Sequence, residues 1–224
     1  MNDIVLKARQ EIDLLTKAYT GENHIKTGNI RAVSSKLFLS LKDKSIDAVI
    51  PLCDKLLEEH NWPMNVTAFD WAYRMKKQYR LDTFDIFEAW LAKYVSGWGS
   101  CDDFCTHAFG ELLCQHTEFV ERVIPWTARE EFWMRRAAAV VLIPSIKRNL
   151  YNITNPFQIS DILMKDEHDL VRKGYGWMLK VLSQKEPEKV YQYLLDNETD
   201  MPRVAFRYAL EKMDQDRKTE LMKK

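Results

Sequence analysis

One segment in the second half of the chain recurs. It reads Glu131-Phe132-Trp133-Met134-Arg135-Arg136-Ala137-Ala138-Ala139-Val140-Val141-Leu142, then Leu170-Val171-Arg172-Lys173-Gly174-Tyr175-Gly176-Trp177-Met178-Leu179, then more weakly Met201-Pro202-Arg203-Val204-Ala205-Phe206-Arg207-Tyr208-Ala209-Leu210. Each copy sets a basic residue, one position, a small residue and an apolar stretch. Arg135 and Arg172 are 37 positions apart, Arg172 and Arg203 31. A helical period in that range marks an α-solenoid, because each helix pair buries its apolar face only by stacking on the next. The predicted fold is all-α: antiparallel helix pairs in one repeat domain over residues 1–224, with the basic residues of successive copies lined up along a concave groove.

The rest of the chain agrees with helices joined by short connections. Glycines number 7 and prolines 7 in 224 residues, and most prolines fall between apolar-periodic runs. Helices are expected over 3–19, 29–41, 45–60, 64–79, 83–94, 101–115, 117–126, 128–143, 158–164, 167–183, 187–196 and 203–212. Thr20-Gly21-Glu22-Asn23 ends the first of these. Residues 145–155 read as a polar connection and the charged C-terminal tail as frayed. Phe69, Phe87, Trp90 and Trp133 sit at helical spacing and are expected in the core.

Lys plus Arg equals Asp plus Glu at 33 each, so a phosphate-binding surface has to come from local sorting of charge. No apolar run approaches the length of a membrane span. Met1-Asn2-Asp3-Ile4 has neither the basic stretch nor the apolar run of a secretory leader, and a cytoplasmic, nucleoid-associated location is expected. Cys53, Cys101, Cys105 and Cys114 are not spaced as a disulfide framework. Cys101 and Cys105 lie near His107, but no second ligand pair completes a zinc site. No glycine-rich phosphate loop occurs.

The stretch Val95-Ser96-Gly97-Trp98-Gly99-Ser100-Cys101-Asp102-Asp103-Phe104 has two glycines around a tryptophan. Ser100 and Asp103 read as a capping box opening the helix at Cys101, which would put Asp102 in its first turn, where the helix dipole favours a carboxylate. Trp98 lies four positions before Asp102 and can approach it if the helix starts early.

Trp98-x-x-x-Asp102, Phe132-Trp133-Met134-Arg135-Arg136-Ala137-Ala138 and the segment from Leu170 to Leu179 occur in the order and spacing of the AlkD-like DNA alkylation repair glycosylases, which the second half of the chain resembles. The resemblance implies HEAT-like repeats and removal of alkylated purines from DNA. It implies that Asp102 is the catalytic carboxylate, that Trp98 and Trp177 contact the sugar and backbone of the lesion nucleotide, and that Arg136 holds a phosphate. The family often has an acidic residue after the first tryptophan, where this chain has Gly99.

The residue chemistry is consistent with that implication. An N3- or N7-alkylpurine is cationic and leaves without a general acid. One carboxylate can oppose the oxocarbenium charge that builds on the deoxyribose, and two indole faces favour cations. Arg135, Arg172, Lys173, Arg203 and Arg207 are expected to join Arg136 on DNA phosphates, which position a duplex without reading its sequence. Arginines in helical repeats also form ladders with aspartates of the adjacent repeat, an alternative for Arg135, Arg172 and Arg203. The expectation is a monomeric glycosylase without metal or cofactor, acting on alkylated double-stranded DNA, with no membrane partner. No lysine is singled out as a Schiff-base nucleophile, so no lyase step is expected. A catalytically silent DNA-binding relative and a protein-binding helical scaffold are the alternatives.

Overall fold

The computed structural model describes residues 2–19 and 25–222. All regular elements among them are helical. The α-helices are α1 (Asn2–Lys17), α2 (Thr27–Leu39), α3 (Ile46–Leu57), α4 (Trp62–Arg74), α5 (Thr83–Tyr94), α6 (Trp98–Thr106), α7 (Ala108–Gln115), α8 (Val120–Val123), α9 (Phe132–Val140), α10 (Ile143–Lys147), α11 (Tyr151–Thr154), α12 (Pro156–Leu163), α13 (Asp169–Ser183), α14 (Pro187–Asp196), α15 (Arg203–Leu210) and α16 (Gln215–Met222). Short 3-10 turns lie at Lys76–Gln78, Thr117–Phe119 and Ile124–Ala128. The expected end of the first helix at Thr20-Gly21-Glu22-Asn23 lies outside the described residues. The chain divides into two compact units, Met1–Leu112 and Leu113–Lys224.

In the first unit α4 is the central element, packing on α1, α2, α3 and α6. Its residues from Met64 to Ala72 are buried apart from Asp70, so apolar side chains point to nearly every side. Asn61 caps it, accepting a hydrogen bond from the Met64 amide, and Pro63 occupies the first turn, where a missing N–H is harmless. An aromatic cluster fills the space between α4, α5 and α6. Phe69 stacks on Phe104 at 4.1 Å, and Phe87 meets Phe104 and Phe109 edge-on at 5.1 and 5.6 Å. Each such ring contributes about 1.5–3 kcal/mol by leaving water. Phe69, Phe87 and Trp90 are buried here, and the Trp90 indole N–H reaches Asp54 at 2.7 Å.

In the second unit the three echoes of the repeated segment are α9, α13 and α15. α13 packs on α9 and on α15, with α12 and α14 also against it. Arg135 and Arg172 are both the fourth residue of their helices, so the first two copies share one register. Two glycines let α13 come close to its neighbours. A Cβ on Gly176 would lie 2.8 Å from the Ala205 carbonyl oxygen and 2.8 Å from Tyr208 Cβ. A Cβ on Gly174 would lie 3.0 Å from Arg136 Cγ.

Several boundaries differ from expectation, each for a local reason. The helix expected over 101–115 is two helices, broken at His107, whose φ is −121° and ψ −96°. Residues 117–126 form the 3-10 turn Thr117–Phe119, then α8 and the start of the turn Ile124–Ala128. The helix expected from 128 begins only at Phe132: the Thr127 hydroxyl donates to the Ile124 carbonyl inside the 3-10 turn, which runs through Ala128. The helix expected to reach 143 ends at Val140, and Pro144 lies in the first turn of α10. The connection expected over 145–155 contains α11 and buries Ser145, Ile146 and Thr154; Asn149 and Asn155 make its bends at φ 64° and 38°. The C-terminal tail is ordered as α16, held by the buried Leu221. Trp133 is half-buried, edge-on to Phe132, which itself stacks on His168 at 4.1 Å.

Candidate functional site

The first unit carries a cleft of about 690 Å³, lined among others by Trp62, Tyr94, Trp98, Gly99, Asp102 and Asp103. Its geometry follows from where α6 begins. Gly97 is the residue before the helix and Trp98 is its first residue, so the helix starts three residues earlier than the capping box predicts. Ser100 does not cap; its hydroxyl accepts a hydrogen bond from the buried Asn65 side chain, whose amide also donates to the Tyr94 carbonyl at 3.1 Å. Asp102 is therefore the fifth residue of α6 and lies beyond the first turn where the helix dipole acts. Trp98 and Asp102 stand at i and i+4, which puts them on the same face of the helix. Trp98 is 56% exposed, and Asp102 is half-exposed beside it.

Asp103 has a different environment. It is not a capping partner; its carboxylate takes an ion pair from Arg31 of α2 and its side chain is only 9% exposed. Burial pushes its carboxyl up to about 6; Arg31 works against the rise, while the carboxylates of Asp70 and Asp102 add to it. One carboxylate oxygen, Oδ2, is buried without a hydrogen-bond partner among the described residues. His107 closes the group: Arg31 donates to its Nδ1 at 3.1 Å, and its ring meets Tyr73 edge-on. Asp70 is in turn held by the Ser34 hydroxyl at 2.6 Å and by Arg74 at 2.9 Å.

In the second unit Arg136 is 5% exposed, and one end of its guanidinium donates to the Leu170 carbonyl at the start of α13. Trp177 is half-buried on the same α13. The basic ridge predicted from the repeats is divided. Arg135 hydrogen-bonds the Asp166 carboxylate and the carbonyls of Arg129 and Glu130 at 2.9 and 2.7 Å. Arg172 donates to the Asp166 carbonyl at 2.6 Å. Arg135 thus takes the ladder role that arginines have in stacked repeats, with Asp166 as the rung, while Arg172 holds only the backbone carbonyl of that residue. Lys173 pairs with Asp169 one turn earlier at 2.6 Å, which raises its ammonium pKa. Arg203 and Arg207 are exposed one turn apart on α15; Arg203 lies over the Phe206 ring, and Arg207 has no ion pair among the described residues.

Sequence reasoning missed Trp62, Tyr94 and Asn65 in the cleft. The triplet Asn61-Trp62-Pro63 reads as a chain break, yet an N-cap asparagine with proline just inside the helix is itself a helix-start signal that would have found Trp62. Tyr94 and Asn65 carried no such signal.

These elements describe an all-α, solenoid-like protein that holds a tryptophan and a carboxylate one helical turn apart in an open cleft. The DNA alkylation repair enzyme family matches residues 24–213, and the chain belongs to that family. This membership makes DNA its partner. A solved structure of a predicted DNA alkylation repair enzyme from Enterococcus faecalis has a similar fold: the TM-score is 0.67 at 16% identity, over 93% of this chain and 96% of that one. No curated protein sequence matches the chain. No helix among the described residues is long and apolar enough to cross a membrane.

Proposed function

We propose that this chain is a monofunctional DNA glycosylase that removes N3- or N7-alkylated purines from duplex DNA and leaves an abasic site. It would act as a single chain of HEAT-like repeats, with no metal or organic cofactor. The observation that carries the reading is the exposed Trp98 one helical turn from Asp102 in the cleft of the first unit. Trp98 lines that cleft together with Asp102 instead of packing in the core.

The chemistry follows from the charge. The alkylpurine is cationic, so the bond from C1′ to the base breaks with its electrons going to the base, which leaves neutral. The sugar becomes oxocarbenium-like. A water adds to C1′ and loses one proton to the surrounding solvent, leaving a hydroxyl there. Asp102 opposes the sugar charge and orients the water. At about 4 Å and an effective dielectric near 20, such a pair is worth roughly 4 kcal/mol, about three powers of ten in rate. Trp98 adds cation–π attraction of about 0.5–2 kcal/mol, and Trp177 is a further candidate for contact with the DNA. Arg136 is assigned a phosphate by the resemblance, although it is buried and one end of its guanidinium is held by the Leu170 carbonyl. Lys173, Arg203 and Arg207 supply the remaining phosphate contacts, while Arg135 and Arg172 serve mainly to fix Asp166.

The test is release of 7-methylguanine from methylated duplex. Asp102→Asn is expected to lower the single-turnover rate by about 10³-fold while sparing duplex affinity. An unchanged rate in that variant removes Asp102 from the reaction, and no release by the unaltered protein removes the enzyme reading.

A further inference from the structure

The cleft holds a second indole that the reaction described above does not use. Trp62 is the first residue of α4 and is half-exposed on the cleft wall. A Cβ built on Gly99 would come 3.7 Å from Trp62 Nε1 and 3.9 Å from its Cδ1. The pyrrole edge of Trp62 therefore lies directly over Gly99, the residue that follows Trp98. Those distances are ordinary van der Waals contact, so packing does not require the glycine. What the glycine does is leave the Trp62 edge uncovered at this point, whereas a longer side chain at position 99 would start 3.7 Å from it. The Trp62 indole N–H has no hydrogen bond to a described residue and is not sealed in the interior. The cleft is thus lined by two indoles, Trp62 against Gly99 and Trp98 next in the chain, and by Asp102.

We propose that Trp62 is a further substrate-contacting residue, which offers its ring edge and indole N–H to a sugar or phosphate oxygen of the bound DNA strand, and that Gly99 keeps this contact open. The donor is neutral and its ring is flat and apolar. It fits an anionic or ether oxygen next to the stacked surface of a nucleotide, and a cationic group has no reason to prefer its N–H edge. The inference rests on the reading of the cleft as the DNA site, and it adds a contact which binding alone can report.

The experiment measures affinity for a duplex containing a tetrahydrofuran abasic site, by fluorescence anisotropy at fixed salt, alongside release of 7-methylguanine. Variants are Trp62→Ala, Trp62→Phe, Gly99→Gln and the Trp62→Ala/Gly99→Gln pair; glutamine is chosen because it is neutral and cannot repel phosphate. Trp62→Ala is expected to weaken binding ~10-fold, the size of one hydrogen bond to a charged oxygen. Trp62→Phe keeps a ring without the N–H and should fall between. Gly99→Gln should weaken binding when Trp62 is present and have little further effect in the Trp62→Ala background, since the two changes act on one contact. Affinities within twofold of the unaltered protein for Trp62→Phe and Gly99→Gln overturn the proposal, whether or not Trp62→Ala folds. Equal weakening by Gly99→Gln in both backgrounds overturns it as well. If the unaltered protein binds this duplex but releases no base, the glycosylase reading fails and the Trp62 contact is still measured; if it does not bind, both fall.

Discussion

Asp103 provides a quantitative check on how the cleft is built. Two effects compete at its carboxyl. The Arg31 guanidinium favours the ionised form, and on its own would hold the group below the usual carboxylate range. Burial favours the neutral form, and it is helped by the Asp70 and Asp102 carboxylates and by an Oδ2 atom left without a partner among the described residues. Burial wins, and the group moves from 3.8 to about 6. Each unit corresponds to about 1.4 kcal/mol, so ionised Asp103 costs the fold on the order of 2–3 kcal/mol. The direction of the pH dependence follows. Between about pH 4 and 6 the folded protein keeps a proton that the unfolded chain has lost. This contribution is therefore most favourable below the unfolded value and is lost as pH rises through the folded one. Asparagine at this position resembles the protonated acid at every pH. In urea unfolding from about pH 4.5 to 7.5, the Asp103→Asn variant should gain on the unaltered protein by roughly 2 kcal/mol as pH rises. The facing groups Arg31, Asp70, Asp102 and His107 are common to both proteins, so the difference isolates Asp103. A flat difference would refute the dominance of burial. So would a difference of opposite slope, which is what a dominant Arg31 ion pair would give.

Two other outcomes can be checked in the second unit. Gly176→Ala must push α13 from the backbone of α15, because its Cβ would meet the Ala205 carbonyl at 2.8 Å, and should destabilise by about 1–3 kcal/mol. Gly174→Ala meets the Arg136 side chain at 3.0 Å, which can yield, and should lower the melting temperature less; the reverse order would contradict the close-approach argument. For DNA binding, Arg203→Ala with Arg207→Ala should reduce the slope of log affinity against log salt by about 0.9 for each phosphate no longer neutralised. Arg135→Ala should leave that slope unchanged, since Asp166 and two carbonyls already hold its guanidinium.

How much of this was legible in the sequence depended on whether the cause was local. The repeat register was legible because it rests on spacing: Arg135 and Arg172 do fall at the same helical position, and their helices do pack side by side. The ladder alternative was legible too, but its rung was not, since Asp166 is 31 residues from Arg135. The break at His107 had no local signal, as neither glycine nor proline marks it. The partnership of Asp103 with Arg31, 72 residues earlier, could not be read from a local pattern, and local capping chemistry pointed to Ser100 instead. Trp62 was legible through a signal taken the wrong way: Pro63 after Asn61 reads as a break, whereas the pair caps and opens a helix.

The start of α6 joins these points. Consecutive residues of an α-helix point about 100° apart, so Asp102 and Asp103, although both line the cleft, leave the helix in different directions. With Trp98 as the first residue, the turn from 98 to 102 is helical, and Asp102 falls on the face of the exposed indole while Asp103 is paired with Arg31. Had the helix begun at Cys101, as the capping pattern suggested, nothing would fix Trp98 relative to either carboxylate. The Asn65 side chain, by taking Ser100 as its acceptor and holding the Tyr94 carbonyl, occupies the hydroxyl that would have capped the later start. The division of labour between an exposed carboxylate suited to meeting a cation and a buried one that tolerates its proton is thus set by a backbone choice three residues long, supported by a buried amide from α4.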